Sequence, residues 1–167
     1  MSESKSAFLA ASQAYQSSFT SSNLDATPAW RVAVVTCMDA RIDPYAALGL
    51  QLGEAHVIRN AGGVITDDVI RSLCLSQQKL GTNEVAVIHH TKCGLEKLDE
   101  ETLLSELAAS TGAHPSWSIQ GFTDVVQDVR DSVAALLASP FLAYDDAITG
   151  YVYDVDTGEL NEITSTG

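Results

Sequence analysis

The sequence has 167 residues, of which 46% are hydrophobic and 19% charged, and 9 basic residues against 22 acidic ones leave a net charge of −13. A chain of this length is expected to fold as one domain, residues 1–167, around an ordinary hydrophobic core. The negative charge argues against binding to nucleic acids or to anionic membrane surfaces, and no apolar run is long enough to predict a membrane-spanning helix.

The cysteine count and the N-terminal segment together predict a cytoplasmic protein. Three cysteines are few for a disulfide scaffold. The first residues lack the apolar segment of a signal peptide, and they include Glu3 but no arginine, which argues against a mitochondrial presequence. In a reducing compartment, cysteines are more often metal ligands, nucleophiles or buried packing residues.

Residues 3–20 predict an amphipathic helix with a thin apolar stripe. Phe8, Tyr15 and Phe19 stand among small and polar residues. Such a helix does not form a core by itself. We therefore expect residues 1–28 to be a helical arm that packs on another surface, such as a second subunit.

Further along the chain, apolar segments that predict strands alternate with segments that predict helices. The predicted strands are 31–36, 55–59, 84–89 and a fourth in the C-terminal tail, followed by a hairpin turn at 156–158. The predicted helices are 44–50, 66–80, 102–109 and 122–137. This alternation indicates an α/β fold, with a mostly parallel four-stranded sheet flanked by helices and a C-terminal hairpin or edge strand.

Metal-binding side chains stand at the ends of two predicted strands. Cys37 follows the first strand, and His90 and Cys93 follow the third. Parallel strands end at one edge of a sheet, so these side chains should meet. Two thiolates and one imidazole suit zinc, and three protein ligands leave one position open, as in catalytic zinc sites. Taken singly, each residue is more often a buried packing residue.

The two adjacent histidines are expected to have different roles. Neighbouring residues on a strand point to opposite faces of the sheet, so only one of His89 and His90 faces the metal. The spacing to Cys93 favours His90. We therefore expect His89 to be a packed or supporting residue.

Asp39 and Arg41 lie just after Cys37. A carboxylate at this distance from a thiolate ligand can occupy the open metal position or accept a hydrogen bond from zinc-bound water. Arg41 can hold Asp39 through a bidentate pair that keeps the carboxylate ionised. The alternative interpretation is a surface salt bridge.

The end of the second strand is expected to support this region. Arg59 and Asn60 are candidates for holding the loop that carries Asp39. Gly62 and Gly63 permit a tight turn or a close approach of backbone segments near the site.

Taken together, these motifs resemble those of β-class carbonic anhydrases. The resemblance is carried by three blocks, which are 37–41 (CMDAR), 53–63 (GEAHVIRNAGG) and 90–94 (HTKCG). The short length and the His-His-Thr-x-Cys block are similar to the small branch of the family, which also includes enzymes that hydrolyse carbonyl sulfide.

The resemblance implies one zinc ion per chain on Cys37, His90 and Cys93, with Asp39 and Arg41 as a dyad beside it. It implies attack of a zinc hydroxide on a small linear molecule. Attack on carbon dioxide yields bicarbonate and a proton; attack on carbonyl sulfide yields carbon dioxide and hydrogen sulfide. It also implies a homodimer or homotetramer in which the N-terminal helix lies across the partner. A remoter alternative is a non-catalytic zinc-binding or thiol-sensing module, in which Asp39 and Arg41 would have no purpose.

Overall fold

The computed structural model describes residues 3–163. In chain order it contains α1 (Glu3–Ser18), β1 (Val32–Cys37), α2 (Pro44–Leu48), β2 (Ala55–Asn60), α3 (Asp67–Leu80), β3 (Glu84–His90), α4 (Glu100–Thr111), α5 (Val125–Leu137), β4 (Ile148–Tyr153) and β5 (Leu160–Ile163). Residues 1–2 and 164–167 of the predicted single domain lie outside the described residues.

The strands form one sheet in the order β2-β1-β3-β4-β5. The first four are parallel and β5 runs antiparallel to β4. Strand β1 is a short β-branched run that is buried along nearly its whole length, as expected for a central parallel strand. The predicted α/β fold, with its mostly parallel sheet and C-terminal edge strand, is confirmed.

Helices α3 and α5 contribute to a core on one face of the sheet. This core contains Val35, Val87, Leu73 and Leu136, all fully buried. A second cluster around Val34, Leu50 and Ile88 includes partly buried residues of β2, β4 and β5. The four parallel strands end at a common edge, where Cys37, Asn60, His90 and Tyr153 are their last residues. That edge positions the candidate site.

The start of α5 differs from the prediction. The helix begins at Val125, because the Asp124 carboxylate accepts hydrogen bonds from the backbone N–H groups of Val126 and Gln127 and so caps it. Phe122, predicted to be helical, instead forms a bridge with Glu96 and packs beside the two cysteines at the sheet edge. Apolar periodicity continues upstream of the cap, but the cap decides where the helix begins.

Helix α1 is confirmed, and none of its residues is buried. Phe8 is 73% exposed and Tyr15 58% exposed, so residues 3–163 of its own chain do not cover the apolar stripe. None of the helices within residues 3–163 combines the length and apolar character that crossing a membrane would require.

Candidate metal centre

The structure brings together the three predicted metal ligands. Cys37 is the last residue of β1, His90 is the last residue of β3, and Cys93 lies in the turn that follows. All three are buried, and their thiol and imidazole donor atoms lie within 4.8 Å of one another. Side chains far apart in the sequence meet because parallel β1 and β3 are neighbours that end at the same edge.

The His90 ring is oriented as in histidines that bind metals. Its Nδ1 lies 3.0 Å from the Thr91 carbonyl oxygen, which can only accept, so Nδ1 carries the proton. The other nitrogen, Nε2, is buried and has no hydrogen-bond partner among residues 3–163. A buried acceptor without a donor is costly, and a metal ion among these donors would satisfy it.

The two thiols have opposite electrostatic tendencies. The pKa of the Cys37 thiol is lowered, chiefly by a hydrogen bond with Cys93 and also by His90 and two backbone N–H groups, although burial opposes this. The pKa of the Cys93 thiol is raised by its hydrogen bond with Cys37 and by burial. The two pKa shifts have opposite signs because one hydrogen bond between the sulfurs favours the charged form of Cys37 and the neutral form of Cys93. A cation between them would favour ionisation of both.

Asp39 and Arg41 form the predicted bidentate pair. Arg41 Nε donates to Asp39 Oδ1 at 2.9 Å and Nη2 donates to Oδ2 at 2.7 Å. These bonds hold the pKa of the Asp39 carboxyl well below its usual range. Asp39 Oδ2 lies 3.9 Å from His90 Nε2, so the carboxylate borders the ligand group.

Arg41 is itself held by the turn that carries Cys93. Its Nη2 also donates to the Lys92 carbonyl at 2.9 Å. Lys92 has a left-handed backbone with φ of 56°, which is uncommon for a residue with a side chain. Its Nζ forms an ion pair with Asp156 in the β4–β5 turn. The ligand turn, the dyad and the C-terminal hairpin are thus connected.

The end of β2 supports the loop after Cys37, as predicted. Arg59 Nε donates to the Cys37 carbonyl at 2.9 Å and Nη2 donates to the Asp39 carbonyl at 2.8 Å. Gly63 has φ of 74°, and a Cβ atom there would lie 3.0 Å from the Cys37 backbone nitrogen. Only glycine permits this approach without strain.

Apolar side chains adjoin the ligand group. Ile42 is buried with the two cysteines, and partly buried side chains pack against them. These are Leu95, Phe122, Tyr153 and Val155. They make the surroundings of the site suitable for a small uncharged molecule.

His89 is fully buried and is not among the three grouped donors, so it is a packed residue as predicted. Its Nδ1 lies 2.7 Å from Asp128 Oδ2 on α5. Asp128 is not among the residues that the sequence predicts for the site. Its signal was a carboxylate within the apolar stripe of α5, between Val125 and the buried Val129 and Ser132.

Comparisons with known proteins agree with this site. The family model described as carbonic anhydrase matches residues 32–160. Beta-carbonic anhydrase 1 of Mycobacterium tuberculosis is 47% identical over 137 residues, covering 82% of this chain and 84% of that protein. Carbon disulfide hydrolase of Acidithiobacillus thiooxidans is 33% identical over 151 residues, covering 78% and 75% respectively. The crystal structure of carbonic anhydrase from Streptococcus mutans has a TM-score of 0.91 at 42% identity, covering 98% of this chain and 99% of that chain.

Proposed function

Because the chain belongs to the β-carbonic anhydrase family, a family of zinc enzymes, we propose that it catalyses the reversible hydration of carbon dioxide to bicarbonate and a proton. The observation that carries this proposal is the buried group of Cys37, His90 and Cys93, with donor atoms within 4.8 Å of one another. We propose that these residues hold one zinc ion per chain.

The donor set and its surroundings fit that ion. Two thiols and an imidazole are ligands that zinc prefers, and the buried His90 Nε2 otherwise lacks a partner among residues 3–163. When bound in such a site, zinc lowers the pKa of water so that a strong nucleophile is available near neutral pH. Three protein donors leave one position for that water.

Asp39 and Arg41 are proposed to orient the attacking water. Arg41 holds both carboxylate oxygens of Asp39, so Oδ2 is fixed at the border of the ligand group. From there, Oδ2 can accept a hydrogen bond from the water that adds to the substrate carbon. A carboxylate clamped in this way is also kept out of the open position, so the pair favours a site accessible to substrate.

The apolar side chains that adjoin the cysteines support the choice of a small uncharged substrate. Ile42, Phe122 and Val155 offer no hydrogen-bonding side-chain group. Carbon dioxide is linear and carries no net charge. Side chains of this kind can contact it without forming hydrogen bonds to the attacking water.

Carbonyl sulfide hydrolysis is the alternative activity on the same group of residues, and the carbon disulfide hydrolase relative motivates testing it. Hydration of carbon dioxide is preferred because the named carbonic anhydrases are 47% and 42% identical to this chain, against 33% for that hydrolase. A non-catalytic zinc-binding or thiol-sensing module is the third hypothesis, which the assay below tests.

The purified protein should be assayed side by side on carbon dioxide and carbonyl sulfide, with zinc measured in the same samples. The test variant is Cys37→Ala, which removes one donor. The matched control is Cys74→Ala on α3, because Cys74 is a free cysteine outside the donor group.

We expect one zinc per chain and carbon dioxide hydration in the wild type and in Cys74→Ala, and loss of both in Cys37→Ala. Hydrolysis of carbonyl sulfide without hydration of carbon dioxide would replace the proposal by its alternative. Stoichiometric zinc with neither activity would favour the binding module.

We also propose that the protein is a homo-oligomer, at least a homodimer, that works in the cytoplasm. The exposed apolar side chains of α1 support a second copy as the surface on which the arm packs. The described cysteines are free, as expected in a reducing compartment. Fractionation of source cells with an antibody would test the compartment.

A further inference from the structure

His89 is a fully buried histidine that the proposed reaction does not use. One ring nitrogen, Nδ1, lies 2.7 Å from Asp128 Oδ2, which is an ion-pair distance, although neither atom has a hydrogen bond of regular geometry within residues 3–163. The other, Nε2, lies 3.2 Å from the Gly63 carbonyl oxygen and 3.4 Å from the Ser132 hydroxyl oxygen. His89 therefore connects helix α5 with the glycine turn that follows β2.

The glycine turn contacts Cys37 directly. At the start of the turn, the Asn60 carbonyl accepts hydrogen bonds from the backbone N–H groups of Met38 at 2.7 Å and Gly63 at 3.4 Å. Gly63 approaches the Cys37 backbone so closely that a Cβ would lie 3.0 Å from its nitrogen. The turn thus lies between Cys37 and His89, and its position depends on both.

Asp128 is unusual among the residues of α5 that face the sheet. Its side chain is 17% exposed, and its neighbours on this face, Val129 and Ser132, are buried. Withdrawing a carboxylate from water is costly unless a partner compensates for the lost hydration. His89 is the partner at hand, which gives this carboxylate a role that core packing alone does not require.

From this connection we infer that Asp128 is a positioning residue for the metal centre. Its carboxylate contacts the His89 ring, the ring contacts the Gly63 carbonyl, and the turn lies against the Cys37 backbone, so these contacts keep Cys37 in place. The inference rests on the proposed function, because it takes Cys37 to be a zinc ligand. Groups that support metal ligands in this way typically contribute about 10- to 100-fold to metal affinity or activity.

The test measures zinc affinity by competition with a chelator, and the thiolate-to-metal charge-transfer band of the cobalt-substituted protein. We expect Asp128→Asn to weaken zinc binding about tenfold and to shift the band, because the glycine turn then holds Cys37 less firmly. Asp131→Asn is the matched control, since this exposed carboxylate on α5 pairs with Gln127. Val133→Ala controls for stability, because it removes core packing on α5 without removing the Asp128 contact.

A second substitution, at His89, tests the same contacts between Asp128 and the glycine turn. His89→Gln is expected to weaken zinc binding to a similar extent. The double variant should be no weaker than either single variant, because both changes break one chain of contacts. If one single variant does not fold, the other decides the matter against the Asp131→Asn and Val133→Ala controls.

Zinc affinity and a cobalt band in Asp128→Asn that match those of Asp131→Asn would overturn the inference, even if the variant is less stable. Additive losses in the double variant would overturn it as well. Failure of the proposed function would appear differently, because the wild type itself would then bind no zinc or hydrate no carbon dioxide.

Discussion

At the scale of single residues, Arg41 determines where the Asp39 carboxylate lies. We expect Arg41→Gln to lower kcat/KM for carbon dioxide hydration by about tenfold or more, because Asp39 loses the bidentate pair that orients it. Stopped-flow hydration assays at saturating zinc would measure the change. The control is Arg71→Gln, which breaks an exposed pair with Asp68 and should leave kcat/KM unchanged. Equal values of kcat/KM in Arg41→Gln and Arg71→Gln would show that Arg41 has no role in the proposed mechanism.

Gly63 shows how one missing side chain permits the site to form. Gly63→Ala should lower the free energy of unfolding by about 2 kcal/mol, because it combines a left-handed backbone with a collision against Cys37. Gly112→Ala is the matched control, since it has φ of 71° but nothing within 4 Å of the added Cβ. Backbone strain alone should cost about 1 kcal/mol there. Urea unfolding would compare them, and equal losses would show that the close approach to Cys37 contributes nothing.

At the scale of elements, helix boundaries depend on side chains that satisfy free backbone groups. Asp124 caps α5, Thr66 caps α3, and Asp99 caps α4 by accepting from the Thr102 backbone N–H. The Thr102 hydroxyl donates to the same carboxylate at 2.6 Å. This side-chain bond is the largest cause of the lowered pKa of Asp99.

The cap of α4 predicts a pH dependence. Because the folded pKa of Asp99 lies below the unfolded value, its contribution to stability is present above the unfolded pKa and is lost as pH falls through the folded pKa. Thr102→Ala should raise the folded pKa toward the ordinary value, as seen in an NMR titration of the Asp99 carboxyl. Thr111→Ala, at the other end of α4, should leave that titration unchanged. Identical titrations of the Asp99 carboxyl in the wild type, in Thr102→Ala and in Thr111→Ala would contradict this account.

At the scale of the whole molecule, α1 contributes no buried residue to its own chain. Deleting residues 1–20 should therefore leave the zinc site and the sheet folded, while lowering the mass measured by light scattering after size exclusion. Phe8→Ser with Tyr15→Ser should have the same effect, because it removes the exposed apolar side chains. Gln13→Ala, also on α1, is the matched control. An unchanged mass after the deletion would show that α1 does not contribute to the assembly of the oligomer.

Much of the architecture follows from local patterns. The β-branched runs predict the central strands, and their alternation with helices predicts parallel pairing, because a parallel connection needs a crossover. Those two facts place Cys37 and His90 at one edge, and strand alternation separates His89 from His90. The ligand chemistry itself follows from residue type, since thiols and imidazole favour zinc over magnesium or calcium.

The tertiary structure decided which distant segments complete that site. The place of Phe122 beside the cysteines, the contact of Asp128 with His89 and the bond from Arg41 to the Lys92 carbonyl join residues from different elements. Periodicity describes which face of a helix or strand is apolar, but it does not describe which atoms of two packed elements meet. The amino-acid sequence by itself therefore determined the sheet edge and its donors, whereas packing of α5 and the connecting turns on that edge determined how the donors are held.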